Sequence, residues 1–263
     1  MIDRESSRAA REDGTWSRFW AGKQDLDRVY SSSPAVLEAV IEGLGPTPAR
    51  VLEIGSGTGR DTSALAARGH RALALDASFE ALALTARAAP WLVGRGIVGG
   101  DAFHLPFRDA TFDAVFHQGV LEHFGNPAAF LAENFRVTRP GGLLVVDVPQ
   151  RWHPWTALKR VAIRVDRWFA GWETEYSIDE LEALVRGAGY TTVGSYGDTM
   201  VPSLAYRLVR EGAKRFSLDL PLRPPTPARL RKARERLRGR LLEPRASRWL
   251  AHTIGVVARR PAP

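Results

Sequence analysis

The sequence of 263 residues contains no cysteine, which excludes disulfide scaffolds, thiolate zinc sites and cysteine nucleophiles. It also lacks an apolar run of the roughly 18 residues that span a bilayer, and its polar start lacks the apolar segment of a secretory signal. The histidines show no metal-ligand spacing, so we expect no metal site. What is present, 44% hydrophobic and 25% charged residues, is typical of a globular protein. We expect a cytoplasmic location.

Positive charge is concentrated near the carboxyl terminus. The net charge is +8, and residues 204–263 contain sixteen arginines and lysines against four acidic residues. Such a tail could attract anions. Within it, residues 228–242 predict a basic helix with a narrow apolar stripe. No stacking aromatics alternate with its arginines, which disfavours nucleic acid as a partner.

From residue 34 onward, apolar runs alternate with amphipathic segments. This alternation predicts an α/β fold, with a mostly parallel sheet and helices on both faces. We assign residues 1–44 to an amino-terminal arm with helices, and residues 45–263 to the main domain with insertions at about 150–175 and 200–248. The predicted strands are 51–54, 72–76, 97–98, 112–117, 143–148, 190–196 and 252–259, and the predicted helices are 34–44, 61–67, 79–88, 127–137, 155–169 and 178–188.

A glycine-rich loop, GSGTG, lies between the first predicted strand and a helix. Glycines let the backbone approach a ligand closely, and Asp76, which ends the next strand, could accept both hydroxyl hydrogens of a ribose. The loop has Arg60 where dinucleotide-binding loops require a sixth-position glycine, and no phosphate-binding G-K-[ST] follows. Glu53, just before the first glycine, would repel a pyrophosphate. The loop therefore favours a nucleoside cofactor without phosphate.

Five motifs follow one another between residues 49 and 193: VLEIGSGTG, LALDAS, GDAFHLPFRDATFDAVFHQGVLEHF, RPGGLLVVDVP and YSIDELEALVRGAGY. As an ordered set, which is more specific than any one motif, they resemble the class I S-adenosylmethionine-dependent methyltransferases. The resemblance is to the small-molecule, type 11-like branch. It implies a Rossmann-like sheet of seven strands with an antiparallel last strand, and S-adenosylmethionine as the cofactor.

The resemblance also assigns individual residues to the cofactor. Asp76 would bind the ribose hydroxyls, and Asp101 would accept the adenine amino group. Glu53 would orient the loop and the amino end of the cofactor. The implied cofactor residues are Glu53, Gly55, Ser56, Gly57, Gly59, Asp76, Ala77, Asp101, Ala102, Gln118 and Gly119. Asp101 has an alternative interpretation as a turn residue or helix cap.

Methyl transfer is an in-line displacement, so the protein mainly positions and desolvates the acceptor and, where needed, removes a proton. His123, just after the fourth predicted strand, is the candidate general base. The same histidine could instead orient the cofactor loop or pack structurally. Glu122 is interpreted as a residue of the first turn of a helix.

Acceptor recognition is expected from the segments outside the common core, with residues 1–44 as a cap on the acceptor side. Aromatic residues are concentrated in these segments: Trp16, Phe19, Trp20, Tyr30, Trp152, Trp155, Trp168, Phe169 and Trp172. Packing accounts for part of them, and the rest would line a pocket for an apolar, aromatic, quinone-like or lipid-like small molecule. Two alternatives stay open: an RNA methyltransferase, and a non-enzymatic nucleoside- or nucleic-acid-binding module that uses the basic helix.

Two predicted helices, 155–169 and 228–242, combine apolar and basic faces. We expect the second of them to cover the acceptor side of the domain. Together they would adhere weakly, in a salt-dependent manner, to an anionic membrane surface. A peripheral membrane location is therefore a further expectation.

Overall fold

The computed structural model describes residues 14–21, 34–165, 173–199, 203–214, 216–221 and 251–262, with isolated positions at 227, 229, 233, 236 and 237. Its strands are β1 (Arg50–Ile54), β2 (Arg71–Asp76), β3 (Ile97–Gly99), β4 (Phe112–Gln118), β5 (Thr138–Pro149), β6 (Thr191–Asp198) and β7 (Thr253–Arg259). Its helices are α1 (Thr15–Ala21), α2 (Pro34–Leu44), α3 (Arg60–Ala66), α4 (Phe79–Ala88), α5 (Pro127–Val137), α6 (Pro154–Arg164), α7 (Ile178–Gly187) and α8 (Leu204–Lys214). Short 3-10 turns lie at Pro90–Leu92 and Leu121–His123.

All seven strands form one sheet, in the order β3-β2-β1-β4-β5-β7-β6. Strand β7 is antiparallel to both β5 and β6, and the other pairs are parallel. The predicted sheet, with its antiparallel last strand, is confirmed. Strands β1, β2, β4, β5 and β6 end at one edge, the carboxyl edge, where ligands bind in open α/β sheets.

Helices cover both faces of the sheet because strand residues alternate between two cores. One core joins Leu52 and Val146 to α5 and α7. The other joins Val51 and Val145 to α2 and α3. A sheet buried on both sides explains why LLVVDV in β5 is nearly continuous in apolar residues.

The structure differs from the sequence predictions at one strand and one helix, and some of the predicted residues lie outside the described ranges. Strand β5 is longer than the predicted strand 143–148, because it already begins at Thr138 and its register against β4 shifts between Phe112 and Ala114. Helix α8 was not predicted. Tyr30, Trp168, Phe169, Trp172 and most of residues 228–242 lie outside the described residues. No helix among the described residues is long and apolar enough to cross a membrane.

Candidate cofactor and acceptor site

The glycine-rich loop joins β1 to α3 in left-handed backbone conformations that favour glycine. Gly55, Gly57 and Gly59 have φ values of +67°, +54° and +62°. Side chains would also collide, since a Cβ at Gly55 would lie 2.5 Å from Val120 and one at Gly59 would lie 2.3 Å from Thr85. The loop therefore requires glycine at these positions for both conformation and space.

Asp76, at the end of β2, holds this loop in place. Its Oδ2 accepts the backbone N–H of Gly57 over 2.9 Å, and its Oδ1 accepts the N–H of Ser78 over 2.9 Å. Burial raises the pKa of the Asp76 carboxyl, and hydrogen bonds from the backbone of Ser78, Gly57 and Ala77 oppose that rise. A carboxylate has about four acceptor positions, so Asp76 could hold the loop and still accept hydrogen bonds from ribose hydroxyls.

Glu53 lies beneath the far end of the loop. Its Oε2 accepts the backbone N–H of Thr62 over 2.9 Å and also the Thr62 hydroxyl. Burial, followed by the negative charge of Asp61, raises the pKa of Glu53 to about 8. The carboxyl thus fixes the start of α3 relative to β1, which fits the predicted role in orienting the loop.

The features of this loop fit S-adenosylmethionine. The buried Ser56 hydroxyl has no hydrogen-bond partner within the described part of the chain and is available to a ligand. Buried carboxylates lie on two sides of the loop, where they would favour a ligand with positive charge. On its outer side the loop contacts α1, since a Cβ at Gly57 would lie 2.8 Å from the Trp20 ring.

The predicted adenine-binding residues follow β3. The Asp101 carboxylate accepts the backbone N–H of Phe103 over 3.0 Å and lies 2.7 Å from Nδ1 of His104. These contacts support the turn interpretation of Asp101, and adenine recognition stays a prediction. Ala102 packs against the core, while Ala77, directly after Asp76, is exposed.

Gln118 and Gly119, at the end of β4, are both held by Asp147 of β5. The Gln118 side-chain amide donates to Asp147 Oδ1 over 3.1 Å, and the Gly119 N–H donates to the Asp147 carbonyl over 3.0 Å. Asp147 is fully buried. Burial raises its pKa to about 7, and the hydrogen bond from Gln118 opposes that rise.

A buried polar row crosses the sheet from Asp147 to β6. Asp147, Gly255 and Tyr196 are aligned neighbours on β5, β7 and β6. The Tyr196 ring lies over Gly255, where a Cβ would come within 2.0 Å of it, and so extends toward Asp147. Asp198, at the end of β6, is only 1% exposed and adds negative charge beside Asp147. The sequence analysis missed this row, although an aspartate inside LLVVDVP was a visible signal.

His123, the predicted general base, lies in the 3-10 turn after β4. Its ring packs edge to face against Trp16 of α1, with 4.8 Å between ring centroids. Burial lowers the pKa of His123 to about 4, so the ring is neutral near pH 7 but is a weaker base than an ordinary histidine. The same contact also supports the packing interpretation.

Glu122 lies in the same helical turn, as expected, but it is buried. Burial, together with the negative charge of Glu173, raises its pKa to about 8. The backbone N–H of Thr174 donates to the Glu122 carbonyl over 2.7 Å. Beside it, Lys159 of α6 forms an ion pair with Glu173, and the two side chains are only 3% and 5% exposed. The first insertion therefore packs over the turn that carries Glu122 and His123.

Within the described ranges, no three histidine or acidic side chains are arranged to hold a metal ion.

Residues 52–146, which contain the glycine-rich loop and the carboxyl edge, match the family model of a methyltransferase domain. The sheet order and the site geometry agree with this match. These residues form a class I S-adenosylmethionine-dependent methyltransferase domain. The family assignment from the sequence is confirmed, and with it the cofactor.

Two curated relatives of this methyltransferase domain differ in their acceptors. A demethylmenaquinone methyltransferase of Renibacterium salmoninarum is 40% identical over 108 residues, which cover 41% of this chain and 44% of that protein. A malonyl-acyl-carrier protein O-methyltransferase of Methylococcus capsulatus is 35% identical over 131 residues, which cover 48% of each chain. The matches thus span about half the length of these relatives.

The fold of the methyltransferase domain also recurs among solved structures. A 1,6-didemethyltoxoflavin-N1-methyltransferase from Burkholderia thailandensis, solved with its acceptor and S-adenosylhomocysteine, has a TM-score of 0.60 at 19% identity. That match covers 99% of this chain and 92% of the other. At this identity the likeness shows the shared fold.

Proposed function

We propose that this protein binds S-adenosylmethionine at the carboxyl edge and transfers its methyl group to a small, quinone-like acceptor. The observation that carries the proposal is the glycine-rich loop with Asp76 hydrogen-bonded to Gly57 beneath it. When bound, S-adenosylmethionine supplies a methyl group on a sulfonium centre, together with a neutral leaving group. The chain's own residues would bind, orient and desolvate the two reactants.

Four of the predicted residues have roles that their positions support. Asp76 would bind the ribose while it holds the loop, and Gln118 and Gly119 would face the methionine end. His123 would accept a proton at its neutral ring if the acceptor must lose one. Because Asp147 fixes both Gln118 and Gly119, it acts as a positioning residue for that end of the site.

The acceptor side combines apolar and polar groups. Trp16 offers an aromatic ring beside His123, while Tyr196 and Asp147 offer buried polar atoms that could bind a hydroxyl or carbonyl of the acceptor. A planar ring with oxygen substituents fits both kinds of surface. The demethylmenaquinone methyltransferase relative supports this choice.

The first test is cofactor binding measured by calorimetry. We expect micromolar binding of S-adenosylmethionine and S-adenosylhomocysteine, and no measurable binding of NAD. Asp76→Ala should weaken cofactor binding by about 1–3 kcal/mol, the scale of lost hydrogen bonds to a charged group. The exposed Asp109, which pairs with Arg136, provides the control variant Asp109→Ala. Tight NAD binding, or an unchanged affinity in Asp76→Ala, would contradict the proposed cofactor site.

The acceptor is tested by the formation of S-adenosylhomocysteine. A soluble naphthoquinol should accelerate its release by the wild-type protein, whereas RNA should not. Acceleration by RNA alone would favour the RNA methyltransferase alternative.

Cofactor binding should also release protons near pH 7. Glu53 has a pKa raised to about 8, so it is mostly protonated at neutral pH, and a nearby positive ligand favours its charged form. We therefore expect the affinity for S-adenosylmethionine to rise from pH 6 to about pH 8.5. Calorimetry in two buffers of different ionisation enthalpy measures the released protons. Glu53→Gln should lose this proton release, and proton uptake in the wild type would contradict the assignment.

A further inference from the structure

Helix α6 exposes its apolar side and buries its polar side. Leu158, Val161 and Val165 are 49%, 54% and 56% exposed. They recur at helical spacing, so they form one stripe. On the opposite side Thr156 is fully buried and Lys159 is 3% exposed. This is the reverse of a helix that packs on a protein core.

Polar contacts fix this orientation. Lys159 pairs with Glu173, and Arg160 pairs with Glu175. The Thr156 hydroxyl donates to the Gln150 carbonyl over 2.6 Å. Turning the apolar stripe inward would break these contacts and leave buried carboxylates without their cations, which costs several kcal/mol. The apolar stripe therefore stays outside.

Helix α8 shows the same arrangement. Leu208 and Val209 are 59% and 60% exposed, while Arg210 is only 7% exposed. The Arg210 Nε–H donates to the Leu220 carbonyl over 3.0 Å, and the Tyr206 hydroxyl donates to the Pro221 carbonyl over 2.8 Å. Two polar side chains of α8 thus contact the segment that follows the helix, while Leu208 and Val209 face outward.

Both helices lie at the carboxyl edge. Helix α6 follows the end of β5, and α8 follows the end of β6. His252, directly before β7, contacts His153 just before α6, with 5.1 Å between ring centroids, and burial lowers the pKa of His252 to about 3. The two exposed stripes therefore flank the side of the sheet where the acceptor would enter.

The charge of α6 and of the carboxyl-terminal sequence favours an anionic surface over other occupants. Helix α6 has no acidic residue, and its Arg164 is exposed, while Lys159 and Arg160 are paired with Glu173 and Glu175. Residues 204–263, which include α8, have sixteen basic residues against four acidic ones. Apolar residues flanked by arginine and lysine are typical of helices that lie in the interface of an anionic bilayer. We propose that α6 and α8 dock the carboxyl edge onto an anionic lipid surface.

Co-sedimentation with vesicles tests this docking face. The full chain should bind vesicles of phosphatidylglycerol and phosphatidylcholine more tightly than pure phosphatidylcholine vesicles, and the binding should weaken as salt increases. Val161→Asp and Leu208→Asp should each reduce binding at least about tenfold, because each removes an inserted apolar side chain and adds a repelled charge. Arg164→Glu should reduce binding to anionic vesicles only.

Val93 provides the matched control, because it is 57% exposed and lies before β3, at the opposite edge of the sheet. Val93→Asp should change vesicle binding less than about twofold, and circular dichroism should show that all variants are folded. Absence of binding to anionic vesicles at low salt would overturn the proposal, as would an equal loss in Val93→Asp. A dimer in solution that Val161→Asp dissociates would also overturn it, in favour of contact between two copies.

Discussion

Replacing Lys159 by alanine should destabilise the folded protein by about 3–5 kcal/mol, because it leaves the Glu173 carboxylate buried without its cation. Both side chains are almost fully buried, at 3% and 5% exposure, so water cannot replace the lost partner. Urea unfolding at pH 7, followed by circular dichroism, measures the change in the free energy of unfolding.

Two further variants test whether the loss of stability comes from leaving a buried charge without its partner. Lys159→Met combined with Glu173→Leu should recover most of the lost stability, since an apolar pair of similar volume avoids the desolvation penalty. Arg186→Ala, which removes the half-exposed partner of Glu182, should cost less than Lys159→Ala, because water can reach the position that the Arg186 guanidinium leaves. A loss of less than about 1 kcal/mol in Lys159→Ala would mean that the Glu173 carboxylate is solvated.

The features that the sequence predicted well depend on short-range patterns. The glycine-rich loop could be predicted from the sequence because a strand, three closely spaced glycines and a helix succeed one another within a few residues. The capping box between Ser177 and Glu180 likewise follows a spacing of three that is visible in the sequence, and both of its hydrogen bonds are present. Asp76 could be singled out as a candidate site residue because it ends a predicted strand.

The features that it missed depend on contacts between distant segments. Asp147 and Tyr196 are 49 residues apart, and only the alignment across Gly255 brings them together. Periodicity correctly separated the two faces of α6, but it could not say which face turns inward. That choice depends on Glu173 and Glu175, which pair with Lys159 and Arg160 from outside the helix.

Replacing Asp147 by asparagine should stabilise the protein at pH 8 and leave its stability near pH 4 almost unchanged. Burial raises the pKa of Asp147 from 3.8 to about 7, so the folded state binds its proton more tightly than the unfolded state. The wild type therefore loses stability as the pH rises from about 4 to about 7. Three pKa units correspond to about 4 kcal/mol at most, and we expect a gain of about 2–4 kcal/mol for the variant at pH 8. Urea unfolding at several pH values measures this difference.

The control is Asp109→Asn, which alters an exposed carboxylate and should give a difference from the wild type that does not grow with pH. If Asp147→Asn differs from the wild type by the same amount at pH 4 and pH 8, the pKa of Asp147 is not raised by folding. If Asp147→Asn is more stable than the wild type but binds S-adenosylmethionine more weakly, the buried carboxylate lowers the stability of the fold and serves cofactor binding. The carboxylate holds the Gln118 side chain in place for the cofactor, and perturbed carboxylates of this kind are concentrated at functional sites.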